Sequence, residues 1–401
     1  MFGSSGVISP PAADMQIRAE SPRYERAGAV VHLTTVHAPS DTRIFFKECR
    51  SLAQAGMDVT MVVPAEKAGV VHSVRIEPLP RPRARLSRMT RTVWSAFWKA
   101  LRLKAGLYHL HDPELLPVGL LLRAWGKHVI YDVHEDVPKD VLSKPYLPLW
   151  SREIVGRAAK LAEDVAVGYL SAVVAATPSI YKRFHTMNTR TVMVRNFPIP
   201  EELSNGHSML WCKRDSAVAY IGGITGLRGI REMIRAMGLL PDALDAKLEI
   251  AGNATYGDSL DDLPTLPGWN RVCYRGYLDG AGIAELLGRV RAGLVLFHPA
   301  PNHVEAMPMK LFEYMAAGIP VIASTFPAWR EIVEEARCGL LVDPLKPQEI
   351  AEAMQYLLMH PNEAEEMGRR GMRAVQETYN WKTQARVLLD LYSELFAGSF
   401  P

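Results

Sequence analysis

The sequence predicts an α/β protein made of two parallel-sheet domains in series. Three observations predict it. Short, continuously apolar runs of strand length alternate with stretches of helical spacing, the signature of βαβ units. A proline- and turn-rich stretch near residue 200 interrupts that alternation, which then resumes. The chain has 401 residues, too many for one ordinary core but suited to two domains of roughly 150–200 residues each.

In the first half, Ala29–Thr35 reads as a strand, followed by the polar loop His37–Arg43 and a helix from Ile44 to Ala55 stopped by Gly56. Asp58–Pro64 reads as the next strand. Tyr108–His111 and His128–Val133 follow as strands, with a helix from about Glu114 to Trp125 between them; Val173–Ala176 and Thr191–Val194 add two more. Asn196–Ser208 is turn-rich and reads as a linker. Beyond it, Ala217–Ile221, Lys247–Ala251, Arg271–Tyr274, Ala292–Phe297 and Pro320–Ser324 read as strands, Arg228–Met237 as a helix, and Trp381–Phe396 as a closing helix. The boundaries are therefore a loose tail over 1–28, a first domain over 29–198, a linker over 199–215, a second domain over 216–380 and a final helix over 381–401. Ligands of such sheets bind in the crevice outside the carboxyl ends of the strands.

Composition narrows the class without naming a chemistry. Hydrophobic residues make up 48% and charged residues 22%, a globular balance that excludes a disordered or fibrous chain. The four cysteines are scattered, with no C-x-x-C pair, which fits a reducing compartment and small apolar fillers better than a disulfide framework or a zinc ribbon. Neither Leu115–Leu122 nor Val165–Ala176 reaches the roughly 20 residues of a membrane span, and the polar first residues do not read as a secretory signal. The expected location is cytoplasmic.

The most informative stretch is Glu305-Ala-Met-Pro-Met-Lys-Leu-Phe-Glu313. Pro308 suits the first turn of a helix and Gly318 its stop. Glu305 then sits on the preceding loop and Glu313 within the helix. Backbone N–H groups around Met307–Lys310 suit an anionic phosphate, and carboxylates accept hydrogen bonds from sugar hydroxyls. Two glutamates alone fit an ordinary capped surface helix better. Elsewhere lie Tyr220-Ile-Gly-Gly, Arg228-Gly-Ile, Leu248–Gly252, Arg275-Gly-Tyr-Leu278, Cys338–Pro344 and Trp381.

In this order and spacing these stretches resemble the family 4 retaining glycosyltransferases with their Glu-x7-Glu motif. That family has the GT-B architecture, two facing Rossmann-like domains with parallel sheets and a central cleft, and a last helix that packs back toward the N-terminal domain. The resemblance implies that Glu305 holds the donor sugar, Glu313 the ribose and Arg228 the pyrophosphate, with Gly222, Gly223, Met307, Met309, Lys310 and Leu311 lining the site and Tyr277 and Leu278 beside the base. Many relatives carry a second cation where this sequence has Gly223. Lys310 is a substitute for it, or else a solvated helix residue.

On the first domain, His109 and His111 alternate along one strand and point to the same face, and His134 ends the next strand in the same way. By the resemblance, His111 lies beside the reacting carbon and the acceptor, with His134 as a second acceptor contact. Asp41 and Arg43 belong to the loop that in relatives reaches acceptor and phosphate; a helix N-cap explains Asp41 and Thr42 nearly as well. His109, His111, Asp112 and His134 also read as a metal site, since His-x-His on a strand is a common ligand pair. The family pattern needs no metal or cofactor, and no Asp-x-Asp pair for a divalent ion is present. His109 alone reads best as a packed, hydrogen-bonded histidine.

From Leu79 to His111 the sequence has eight arginines or lysines and no acidic residue. Val93, Trp94, Phe97, Trp98 and Leu101 share one helical face, and Arg88, Arg91, Lys99 and Arg102 favour another. Such a helix suits an anionic membrane interface or packs its aromatic face on the domain; no nucleic-acid motif accompanies the patch. Taken with the resemblance, these residues imply a retaining, metal-independent transfer of a hexose-type sugar. The donor would be a UDP-sugar first and GDP-mannose second. The acceptor would be a glycan or lipid-linked molecule in bacterial polysaccharide assembly, with 81–104 touching the membrane and domain closure about Asn196–Ser208 excluding water. A nucleotide-sugar epimerase is the nearest alternative. The missing G-x-G-x-x-G counts against a nicotinamide enzyme.

Overall fold

The apolar runs become strands buried on both faces, as parallel sheets covered by helices require; Val30–Leu33, for instance, is buried at every position. The computed structural model describes residues 28–81, 84, 87–134, 136–138, 141, 148–204, 210–254 and 260–397. The expected tail lies outside them up to residue 27, as do 205–209 of the expected linker and 82, 83, 85 and 86 of the basic stretch. Among the described residues, one unit comprises 28–196 and 382–397 and the other 197–381.

The first unit has an eight-stranded sheet, ordered β3-β4-β2-β1-β5-β6-β7-β8. Its strands are β1 (Val30–Leu33), β2 (Val59–Pro64), β3 (Gly69–Val71), β4 (Val74–Leu79), β5 (Leu107–Leu110), β6 (His128–Val133), β7 (Ala172–Ala175) and β8 (Thr191–Met193). All neighbours pair in parallel except β3 with β4, a hairpin absent from the sequence reading. Its two-residue turn places His72 and Ser73 at φ 48° and 63°, the twist that matches a hairpin. Strand β1 lies between β2 and β5, so the strand order reverses there, and His32 faces His109 in register. The helix expected from Ile44 to Ala55 begins as a π-turn over Ile44–Cys49 and continues as α-helix over Arg50–Gln54. A long helix, Leu149–Tyr169, also lay outside the reading. The closing helix, Trp381–Ala397, joins this unit from Lys382 onward and buries Tyr392.

The second unit has six parallel strands ordered β11-β10-β9-β12-β13-β14: β9 (Ala217–Ile221), β10 (Lys247–Ala251), β11 (Val272–Gly276), β12 (Ala292–Val295), β13 (Val321–Ser324) and β14 (Gly339–Val342). Here the order reverses between β9 and β12. Phe197 and Trp211 are buried in this unit's core. Much of the expected linker thus packs into the second unit, because these two aromatics find apolar partners there. Among the described residues no helix is long and apolar enough to cross a membrane.

Candidate active site

Where strand order reverses, the loops after the two central strands part and leave room for a ligand. In the second unit that point follows β9 and β12. Gly222 leaves β9 at φ +110°, and a β-carbon there would stand 3.2 Å from Lys310 Nζ; glycine makes both the turn and the approach possible. Arg228 ends a 3-10 turn, Gly226–Arg228, and its Nη1 donates to Gly223 O at 3.1 Å. The same oxygen accepts from Tyr220 OH at 2.6 Å. The helix expected from Arg228 begins instead at Ile230, because Gly229 at φ +76° breaks the ladder.

Helix Met309–Ala316 starts behind Pro308, which occupies the cap position just ahead of the first turn. Tyr314 locks its inner face: Ile221 N–H donates to Tyr314 OH at 3.0 Å, and that hydroxyl donates to Leu294 O at 3.4 Å. The helix is thereby tied to β9 and β12, which sets where Lys310 and Glu313 stand. Lys310 is buried, with Nζ 3.8 Å from the Tyr220 ring centroid and 5.2 Å from that of Phe297. It has no hydrogen-bond partner among the described residues. Burial first, then the charge of Arg228, holds its ammonium well below the ordinary lysine range. Arg228 itself lies 5.5 Å from the Phe297 centroid. The structure therefore brings Gly222, Gly223, Arg228 and Lys310 together.

The other expected donor residues are less uniform. Glu305 is exposed, capping the short helix Pro301–Val304, and Glu313 is half-buried within its helix. Met307 and Leu278 pack partly against the core, and Met309 is half-buried. Tyr277 is exposed. Leu311 turns fully into the core, and its N–H donates to Pro308 O.

In the first unit the order reverses between β1 and β5. Asp112, just past β5, accepts from Thr34 Oγ1 at 2.9 Å and from Thr35 N at 2.6 Å. Asp41 caps the first helix, accepting from Arg43 N and Ile44 N at 2.9 Å each. Between these carboxylates stands His37, with Nδ1 3.0 Å from Asp41 Oδ2 and Nε2 3.6 Å from Asp112 Oδ1. Burial lowers the His37 pKa, but Asp41 and Asp112 outweigh it and raise the net value. Burial likewise acts against Asp41 ionisation and is outweighed by His37 and the Ile44 N–H, which hold Asp41 low.

Arg43 turns inward. Its Nε and Nη2 grip Asp132 at 3.1 and 2.9 Å, and its Nη1 donates to Val194 O at 2.9 Å. The His111 side chain is fully buried, with Nδ1 3.2 Å from His134 Nε2. The His134 side chain is 18% exposed and that of His37 28%. Of the expected acceptor residues, His134 and Asp41 thus reach the surface while His111 and Arg43 lie beneath it. His109 is buried and bonded to Tyr392 OH at 2.7 Å.

Residues 42–199 match the family described as glycosyl transferase 4-like domain, and residues 210–374 match glycosyl transferases group 1. The chain thus carries a glycosyl transferase 4-like domain followed by a glycosyl transferases group 1 domain. An uncharacterized glycosyltransferase of Methanocaldococcus jannaschii is 27% identical over 179 residues, which is 44% of this chain and 45% of that relative. The match spans less than half the length of that curated relative. Among solved structures, sucrose-phosphate synthase from Thermosynechococcus elongatus aligns with a TM-score of 0.74 at 20% identity, covering 92% of this chain and all of its own. Anabaena HepE in complex with UDP-glucose aligns at 0.68 and 16% identity, again over 92% and 100%. These likenesses carry the fold: two parallel-sheet α/β domains of the GT-B class.

Reading the glycosyltransferase from sequence missed several polar residues at the same strand ends. His37 lies in the quoted loop, yet its bridging of two carboxylates depends on Asp112, far along the chain. His298 Nε2 lies 3.0 Å from Glu232 Oε2 just past β12. Neither belongs to a local pattern. The basic stretch divides its aromatic face: Phe97, Ala96 and Ala100 are buried, whereas Trp94 and Trp98 are 56% and 47% exposed. Helix Leu149–Tyr169 presents a further exposed stripe of Trp150, Ile154, Leu161, Val165 and Tyr169.

Proposed function

We propose that this glycosyltransferase moves a hexose-type sugar, with retention, from a nucleotide diphosphate-sugar to a glycan or lipid-linked acceptor in bacterial polysaccharide assembly. The observation that carries the reading is the buried Lys310 ammonium beside Gly222 and Arg228. A buried cation without a hydrogen-bonded partner is costly, and a donor diphosphate supplies the missing negative charge. A UDP-sugar is the first choice of donor and GDP-mannose the second; the complex of Anabaena HepE with UDP-glucose supports that order.

As the donor bond breaks, negative charge grows on the departing diphosphate. Lys310 and Arg228 stabilise it without a metal ion, as preorganised cations do where charge develops. Glu305 on the loop and Glu313 on the helix accept hydrogen bonds from the sugar and ribose hydroxyls. Gly222 and Gly223 let phosphate approach the backbone, and Met307, Met309, Tyr277 and Leu278 shape the site around it, while Leu311 anchors the helix from the core. On the first unit, His134, His37 and Asp41 contact the acceptor. His111 holds the His134 ring from below and Arg43 holds Asp132, so both act as positioning residues. Trp94 and Trp98, flanked by Arg91, Arg102 and Lys104, support peripheral contact with an anionic membrane.

The test offers UDP-glucose, UDP-galactose and GDP-mannose, each with and without a lipid-linked glycan fraction, and reads products by nuclear magnetic resonance. The proposal expects acceptor-dependent release of one nucleoside diphosphate and a product that keeps the donor's anomeric configuration. Inversion, or an altered nucleotide-sugar formed without acceptor, contradicts it.

A further inference from the structure

Beneath the acceptor loops the first unit encloses a cluster that the transfer reaction does not use in full. His32 and His109 face one another on β1 and β5, and His111, two residues on, points the same way. Ring centroids stand 4.8 Å apart for His32 and His109, 5.1 Å for His32 and His111, and 4.7 Å for His109 and His111. Glu48, from the first helix, closes over them. Its Oε2 is 4.0 Å from His32 Nδ1, 4.0 Å from His109 Nδ1 and 4.0 Å from His111 Nε2. All four side chains are fully buried. Glu48 Oε1 is ion-paired with Arg43 Nε at 3.0 Å, while Glu48 Oε2 has no hydrogen-bond partner among the described residues, and His109 Nε2 has none either.

We propose that this cluster is a structural site for a zinc-class divalent ion, ligated by His32 Nδ1, His109 Nδ1, His111 Nε2 and Glu48 Oε2. Three imidazoles and one carboxylate match zinc-like ions, whereas calcium and magnesium take oxygen shells. Tetrahedral bonds of 2.0–2.2 Å put ligand atoms about 3.4 Å apart. The separations here, 2.9 Å between His32 Nδ1 and His111 Nε2 and 4.0 Å to Glu48, bracket that value. Small side-chain shifts close the shell.

The surroundings of His32 and His111 suit ligating histidines, which ordinarily donate their second N–H to a carboxylate or other acceptor. His32 Nε2 is 3.2 Å from Tyr392 OH, and His111 Nδ1 is 3.4 Å from Asp132 Oδ2, the carboxylate gripped by Arg43. Metal uptake frees His109 Nδ1 from Tyr392 and leaves that hydroxyl to accept from His32. A proton satisfies one buried lone pair; a dication satisfies four at once, which is why the desolvation cost of the cluster favours the ion. The ion ties β1, β5 and the first helix together directly, and the closing helix through Tyr392. None of its ligands comes from the donor unit, so the inference stands apart from the choice of donor.

The test takes the full chain produced in zinc-supplemented medium. Metal analysis by mass spectrometry should find about one zinc per chain, and the Glu48→Gln/His109→Ala double variant should lose at least nine-tenths of it, while His360→Ala, outside the cluster, keeps it. Should the double variant fail to fold, the wild-type chain decides. Stripping with dipicolinate should lower Tm by about 5 °C or more, Zn2+ but not Mg2+ should restore it, and Co2+ loading should give the visible absorption of a tetrahedral site. Metal-free protein whose Tm ignores added Zn2+, or zinc retained by the folded double variant, overturns the proposal and leaves a proton-sharing network in its place.

Discussion

Lys310 Nζ stands 3.8 Å from the centroid of the Tyr220 ring, buried, and without a hydrogen-bond partner among the described residues. Its folded-state pKa lies below the unfolded value. Between those two values unfolding takes up a proton, so stability rises with pH across that window and is lowest below it. Urea denaturation should therefore show the wild type gaining stability from pH 8 to pH 10 relative to Lys310→Met. At neutral pH the variant should be at least as stable as wild type, yet bind UDP roughly 10–100-fold more weakly, the loss of one charge-assisted contact.

Among the described residues, Arg43 is the arginine hydrogen-bonded to buried Asp132, and it is also ion-paired with buried Glu48. Replacing it by methionine strands that carboxylate, and Arg43→Met should cost about 3–5 kcal/mol in chemical denaturation. A loss below about 1 kcal/mol would show that the pair does not organise the loop.

His37 links Asp41 and Asp112, and its pKa is raised in the fold. A raised histidine contributes stability fully below its unfolded pKa and loses it as pH rises through the folded one. The stability difference between wild type and His37→Gln should be largest at pH 5.5, under about 1 kcal/mol because the ring is partly solvated. It should vanish by pH 9. A difference that grows with pH contradicts the assignment.

What was legible in the sequence was local. The parallel strands announced themselves because burial on both faces demands unbroken apolar runs such as Ala217–Ile221. Hairpin β3–β4 did not, because Arg75 and Glu77 break the run and the turn uses His72 and Ser73 with no glycine signal. The expected donor residues from Glu305 to Glu313 share one short stretch, but Lys310's burial depends on Tyr220 and Gly222, about ninety residues away. The ranking of His111 over His134 rested on the family resemblance, and strand alternation gives the face of a side chain and not its depth. Glu48, His32 and Tyr392 meet only through the packing of β1, the first helix and the closing helix, and no spacing in the chain records that.

Trp94 and Trp98 are exposed while their neighbour Phe97 is buried. Trp94→Ser/Trp98→Ser should leave Tm within about 2 °C, since neither ring fills the core, and should lower co-sedimentation with phosphatidylglycerol vesicles at least 5-fold. Equal binding of wild type and variant removes this surface from the account.

The most direct test of the donor site is calorimetric titration of wild type, Glu313→Ala and Glu305→Ala with UDP and GDP, in EDTA. The account predicts metal-free binding of one nucleotide, weakened about 10-fold by Glu313→Ala, which loses the ribose contact, and nearly unchanged by Glu305→Ala, whose partner is the absent sugar. Binding of neither nucleotide, or equal binding by wild type and Glu313→Ala, would contradict it.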